Sequence, residues 1–140
     1  MSEVVTCGSC STRNRVPVVA SGSPRCASCH RDLPWLVDAD DQSFADAVRT
    51  NRLVLVDLWA PWCGPCRMVA PIVERLAHDL AGRVKVVKVN VDTSPAVARR
   101  HHASSIPMLL VMRDGAVVDT VVGAQPEHVL RALLDRHLAP

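Results

Sequence analysis

The sequence has no apolar run approaching the roughly 20 residues that a membrane-spanning helix requires, and no basic stretch followed by an apolar one near its start. No membrane partner is expected, and the expected location is cytoplasmic. Charge of one sign is also scarce: 16 Lys and Arg against 14 Asp and Glu leave a net +2. That is too weak a field to gather nucleic acid or anionic lipid. Residues 1–34 contain no Phe, Tyr or Trp on which a base could stack, and Glu3 and Asp32 offset part of the charge of Arg13, Arg15, Arg25 and Arg31. No nucleic-acid partner is expected. A glycine-rich phosphate-binding motif is missing too, so the chain should carry no bound nucleotide or flavin.

What is present is cysteine in an unusual arrangement. All six fall into Cys-x-x-Cys pairs, which favours metal and redox chemistry in a reducing compartment over a secreted disulfide scaffold. At 140 residues, 49% of them apolar, the chain has room for one ordinary domain and a small appendage.

Two of the pairs, Cys7-Gly8-Ser9-Cys10 and Cys26-Ala27-Ser28-Cys29, lie in a Ser-, Arg-, Pro- and Gly-rich stretch that cannot bury a core unaided. The gap of two lets both sulfurs of a pair turn onto one ion, and two such knuckles complete a tetrahedral thiolate site. Residues 1–34 are therefore expected to form a zinc ribbon holding one structural ion through Cys7, Cys10, Cys26 and Cys29, with a short strand around Val16–Val19. Two disulfides or four free thiols are the alternatives. His30 is read as a surface residue, because four sulfurs already fill the coordination sphere.

The third pair lies in Trp62-Cys63-Gly64-Pro65-Cys66, between the buried-strand pattern Leu53–Trp59 and a stripe of Val69, Ile72, Val73, Leu76, Ala77 and Leu80 at helical spacing. Unpaired N–H groups at a helix N-terminus stabilise a thiolate, and Cys63, the outer sulfur, gains most. An accessible Cys63 is expected, with Pro65 suited to the first turn and Gly64 leaving the sulfur unobstructed. Half a zinc site is the other reading of this pair. Pro71 should kink the helix and Gly82 end it. Asp57 is the only acid in the strand feeding the motif; among apolar neighbours its pKa should rise, which fits it to take a proton from Cys66.

Trp35–Val37 reads as a short strand, and Asp40 or Asp41 as the cap of a helix carrying Phe44 to Val48. Val84–Val91 reads as a strand parallel to Leu53–Trp59. Ser94 or Thr93 should cap a short helix at 95–101, and Arg99 to His102 reads as its solvated end. Met108–Met112 and Ala116–Val122 flank the turn signal Arg113-Asp114-Gly115. A last helix from Pro126 buries Val129, Leu130, Leu133, Leu134 and Leu138. Residues 35–140 are thus expected to form an α/β domain, a central mixed sheet with helices on both faces.

Val56-Asp57-Leu58-Trp59-Ala60-Pro61-Trp62-Cys63-Gly64-Pro65-Cys66-Arg67-Met68-Val69-Ala70-Pro71 resembles the signature of the thioredoxin family. Lys88-Val89-Asn90-Val91-Asp92, Ser105-Ile106-Pro107 and Gly123 extend the resemblance over about residues 35–140, and the cysteines in front are similar to those of the family's zinc-ribbon-containing branch. Leu58 stands where an aromatic is common, and Met108 where threonine often follows the proline. Thioredoxin is itself a standard example of the lowered Cys-x-x-Cys pKa expected for Cys63.

The resemblance implies a thioredoxin fold and a protein-disulfide reductase in which Cys63 attacks, Cys66 resolves and Asp57 moves a proton. It implies a cis Pro107 lying against the cysteine pair, Ile106 free to pair with an extended substrate, and a contact surface completed by Trp62, Gly64, Pro65 and Gly123. Lys88 would lie near the Asp57 carboxylate, but is read as a snorkelling strand lysine. Trp59 is read as core. The implied partners are disulfide-containing protein substrates and an NADPH-dependent thioredoxin reductase, with the chain a monomer. The alternative reading is a zinc-dependent interaction module or holdase with redox-sensing zinc thiolates.

Overall fold

The computed structural model describes residues 2–139; Met1 and Pro140, the outer limits of the two expected domains, lie outside the described residues. Ser2–Thr6 (β1) pairs antiparallel with Arg13–Pro17 (β2) in a two-stranded sheet. Exposed Arg13 and Arg15 alternate with buried Asn14 and Val16, the period of a half-buried strand. The strand expected at Val16–Val19 is therefore shifted towards the N-terminus. Pairing with β1, for which the sequence carries no clear period, sets its limits.

The second sheet has five strands: Trp35–Ala39 (β3), Leu53–Trp59 (β4), Val84–Asn90 (β5), Met108–Arg113 (β6) and Ala116–Val122 (β7), in the order β3-β5-β4-β6-β7. β3, β5 and β4 are parallel, and β6 and β7 complete the sheet antiparallel. The run of β4, apolar except for Asp57, fits its central place, buried on both faces. Between β6 and β7 the chain turns at Asp114 and Gly115, both with positive φ (53° and 78°), the backbone a tight hairpin requires.

Helices Phe44–Ala47 (α1), Gly64–Asp79 (α2), Pro95–Arg100 (α3) and Glu127–Leu138 (α4) cover both faces. Leu53 and Leu55 meet Val69, Val73 and Leu76 of α2 and Leu130 and Leu134 of α4. Val54, Val56 and Leu58 point the other way, towards Phe44, Ala47 and Val97. That second face is shared with Val16, Val18 and Leu33 of the N-terminal segment. Each of these three, 0–2% exposed, contributes roughly 1.5–3 kcal/mol by burial, so the segment completes a core that it could not build alone.

Local expectations hold in part. α2 is a single helix of 16 residues that runs through Pro71, and Gly82 follows it with φ +84°. Asp40 accepts N–H bonds from Gln42 and Ser43, forming the turn into α1. Asp41 does something else: its carboxylate accepts from the N–H groups of Ala96 and Val97, capping α3 from a distant part of the chain. The cap expected from Ser94 or Thr93 is thus supplied by Asp41, and the Ser94 hydroxyl is buried without a partner.

Candidate functional site

Cys63 is the N-cap residue of α2, and Cys66 lies in its first turn. The two are joined in a disulfide, with the Cys66 N–H donating to Cys63 Sγ at 3.2 Å. That amide is one of the orphan donors of a helix start, and it is aimed at Cys63 Sγ, a placement that favours negative charge on that atom. Cys63 is only 4% exposed, less open than expected, because its sulfur packs under the chain at Ile106, 3.8 Å from that carbonyl oxygen. Its neighbours are open: Trp62 is 68% exposed, and Gly64 and Pro65 face solvent.

Behind the disulfide lies a cavity of about 120 Å³ lined by Asp57, Trp59, Cys66, Arg67 and Lys88, among others. Asp57 is 1% exposed, and its Oδ1 has no hydrogen-bond partner. Burial pushes its pKa up to about 6, with Lys88 pulling the other way. Lys88 faces Asp57 across the parallel β4–β5 register and lies over the Trp59 ring, 5.1 Å from its centroid. It thus lines the cavity beside Asp57, as the resemblance implied, and is more than a snorkelling strand lysine; the register of β4 and β5 brings the two together.

An acid whose pKa rises on folding binds its proton more tightly in the native state. Its contribution is present in full below the unfolded pKa, and is lost as pH climbs through about 6. Between 3.8 and about 6, at about 1.4 kcal/mol per pH unit, ionised Asp57 costs roughly 3 kcal/mol at neutral pH. Asp57→Asn should therefore stabilise the protein at pH 7.5 by up to that amount and by nothing near pH 3. Urea unfolding at the two pH values checks this, and an equal effect at both would contradict it.

The Ile106–Pro107 peptide is cis, and the Pro107 carbonyl accepts from the Gly123 N–H at 2.8 Å, where Gly123 has φ +94°. Ile106 packs on the cluster of Ala60, Cys63 and Cys66. Trp62, Cys63, Gly64, Pro65, Ile106, Pro107 and Gly123 thus belong to the strand–helix junction and the two loops beside it. The indole Nε1 of Trp62 donates to the carboxylate of Asp92 at 3.0 and 3.2 Å. The sequence reading missed this role of Asp92, although the residue stood within the Lys88–Asp92 match.

The sequence pattern of the thioredoxin family matches residues 35–136. The chain belongs to the thioredoxin family. Thioredoxin 1 of Synechococcus elongatus is 52% identical over 99 residues, 70% of this chain and 92% of that protein. A thioredoxin of Bacillus subtilis is 46% identical over 103 residues, 74% of this chain and 98% of its own. Thioredoxin 1 of a Nostoc species is 54% identical over 99 residues, 70% and 92% respectively. The redox disulfide is therefore that of a thioredoxin-type protein-disulfide oxidoreductase, and the fold is the thioredoxin fold with a cysteine-bearing hairpin in front. No described helix is long and apolar enough to cross a membrane.

The family match begins at Trp35, and the other four cysteines precede it. Their sulfurs all lie within 4.8 Å of one another, with Cys7 to Cys29 at 3.6 Å and Cys10 to Cys26 at 3.5 Å. Sulfurs 2.3 Å from a common ion stand about 3.8 Å apart at the edges of a tetrahedron, so the set fits a metal ion. The two knuckles repeat one geometry. Cys7 N–H donates to Thr12 and Cys26 N–H to Arg31, while Ser11 and His30, each just past a second cysteine, have φ of 64° and 65°.

The N–H of Cys10 holds the Cys7 thiol below its usual range, and that of Cys29 pulls Cys26 down to about 5. For Cys29 the N–H of Arg31 also pulls down, but burial and the surrounding sulfurs win and push it up to about 11. Four sulfurs this close cannot all ionise without a cation among them.

Proposed function

We propose that the chain is a protein-disulfide reductase of the thioredoxin 2 type. It takes electrons from an NADPH-dependent thioredoxin reductase and delivers them to disulfides of protein substrates. The observation that carries this reading is the helix-capping Cys63, which receives the Cys66 N–H, backed by a buried acid on a cavity that also reaches Cys66. In the reduced protein Cys63 thiolate attacks one sulfur of a substrate disulfide, and the other sulfur leaves as a thiolate. Cys66 gives its proton to Asp57, attacks Cys63, and releases the substrate as a dithiol. Two electrons have moved to the substrate, and the Cys63–Cys66 disulfide remains for the reductase to open.

Asp57 suits the proton transfer because its pKa of about 6 lies close to neutrality. Trp62, Gly64, Pro65, Ile106, Pro107 and Gly123 form the substrate surface, with Ile106 offering its backbone to an extended segment. Trp62→Ala should raise KM for a protein disulfide by about tenfold, the loss of one exposed aromatic anchor, and leave thermal stability unchanged. Steady-state kinetics and calorimetry on the variant check both halves.

Residues 1–34 form the ribbon and 35–140 the catalytic domain. The ion of the ribbon is zinc, held by Cys7, Cys10, Cys26 and Cys29; four sulfurs leave no open position, so it supplies folding free energy and takes no part in the chemistry. The chain works as a monomer, all its site residues coming from one chain, and carries no nucleotide or flavin of its own. Four thiols kept for a metal suit a reducing compartment, which supports a cytoplasmic location.

Oxidised protein mixed with NADPH and thioredoxin reductase should consume one NADPH per chain, and then turn over continuously when insulin is added. No consumption in either stage would defeat the proposal.

A further inference from the structure

Lys85 takes no part in the redox chemistry, yet it is among the most deeply buried side chains, 0% exposed. It precedes Lys88 by three residues on β5, so strand alternation turns it to the opposite face of the sheet, away from the Asp57 cavity. Among the described residues no ion pair reaches it. Its Nζ instead donates to the carbonyl of Val18 at 2.5 Å and to that of Ala47 at 2.7 Å, and stands 4.2 Å from the centroid of the Trp35 ring. Burial lowers its pKa to about 8, which leaves the amine charged at neutrality.

A buried ammonium is tolerable only where dipoles and a π face replace the water it has lost. Here those groups come from three separate segments. Ala47 ends α1, where a carbonyl has no helical partner. Trp35 opens β3, and its own Nε1 donates to Pro17 at 2.8 Å. Val18 lies in the N-terminal extension, outside the part of the chain that matches the thioredoxin family. Lys85 thus lies within the family match while one of its two acceptors lies beyond it.

Other contacts seat the same extension. The Ser21 carbonyl accepts from Thr50 Oγ1 at 2.7 Å and from Asn51 N–H at 3.0 Å, and Arg52 Nε donates to Ser23 Oγ at 2.8 Å.

We infer that Lys85 is a buried latch that joins the N-terminal extension and the catalytic domain into one cooperative folding unit. When the extension lifts, the ammonium loses the Val18 carbonyl and the apolar cover of Val16, Val18 and Leu33 together. Detachment therefore breaks the Lys85–Val18 hydrogen bond and bares the apolar face under Val16, Val18 and Leu33 in a single event.

Hydrogen exchange on the full, metal-loaded chain across a urea series tests this. In the wild type the slowest amides of β2 and of β5 should exchange with one free energy and one urea dependence. Lys85→Met removes the donor and should separate them, with β2 amides exchanging at least tenfold faster relative to β5. Leu55→Ala, on the opposite face, should speed both regions equally and keep them together. Wild-type β2 amides that exchange independently of β5, or a Lys85→Met protein in which both still move as one, would overturn the inference. If Lys85→Met does not fold, the wild-type comparison decides alone.

Discussion

Replacing Cys63 by serine should bring insulin-disulfide reduction down to background, a fall of at least about a thousandfold. The reason is specific to the position. The nucleophile is the thiolate, and the Cys66 amide and the start of α2 act on whatever atom caps the helix. A serine hydroxyl there still accepts the amide, so the fold is retained, but it does not ionise near neutrality and cannot form a mixed disulfide. Cys66→Ser should fail differently. The first attack proceeds, nothing resolves it, and the chain remains covalently joined to its substrate.

Non-reducing gels of the two variants mixed with oxidised insulin should show the adduct for Cys66→Ser and not for Cys63→Ser. Retained turnover in Cys63→Ser would remove the proposed function, and an adduct through Cys63→Ser would reverse the roles of the two sulfurs.

Replacing Cys26 by alanine should reduce bound metal from one ion per chain to none and lower the thermal midpoint by roughly 10 °C or more. Structural zinc in small domains contributes about 10–16 kcal/mol of apparent binding free energy, nearly all of it spent on folding the site. Cys26 stands at the centre of that set: buried, 3.5 Å from Cys10, and bonded by the Asn14 amide as well. Because Val16, Val18 and Leu33 belong to the same core as Val54 and Val56, the loss should spread beyond the knuckles. Elemental analysis and calorimetry on wild type and variant read the two effects. An unchanged metal content would place the ion elsewhere, and an unchanged midpoint with the metal gone would make the ribbon an energetic bystander.

The strand–helix junction is legible in the sequence, because it rests on local signals. An apolar run, a helix-start proline and a helical stripe all agree about where Cys63 and Cys66 lie. The two remaining cysteine pairs were legible for the same reason, since their spacing is covalent. The hairpin at Asp114 and Gly115 follows from turn chemistry alone. By contrast, Asp41 reads as a cap for the helix that follows it, and instead caps α3 some fifty-five residues on. Side-chain carboxylates cap whichever helix start lies nearest in space, and sequence distance does not report that. β1 was invisible because a two-stranded edge needs only a partner, not an apolar period of its own. Cys63 is more covered than expected because Ile106, forty-three residues away, folds against its sulfur.

By itself, then, the order of residues determined the elements from β3 onward, the redox pair and the four-sulfur set, since each depends on neighbours within a turn or two of chain. Only the tertiary structure decided that Lys88 lies over the Trp59 ring, that Asp41 caps α3, that Asp92 holds Trp62, and that Lys85 reaches across to Val18. Those are pairings between segments, and burial and register, which exist only once the sheet is assembled, select them.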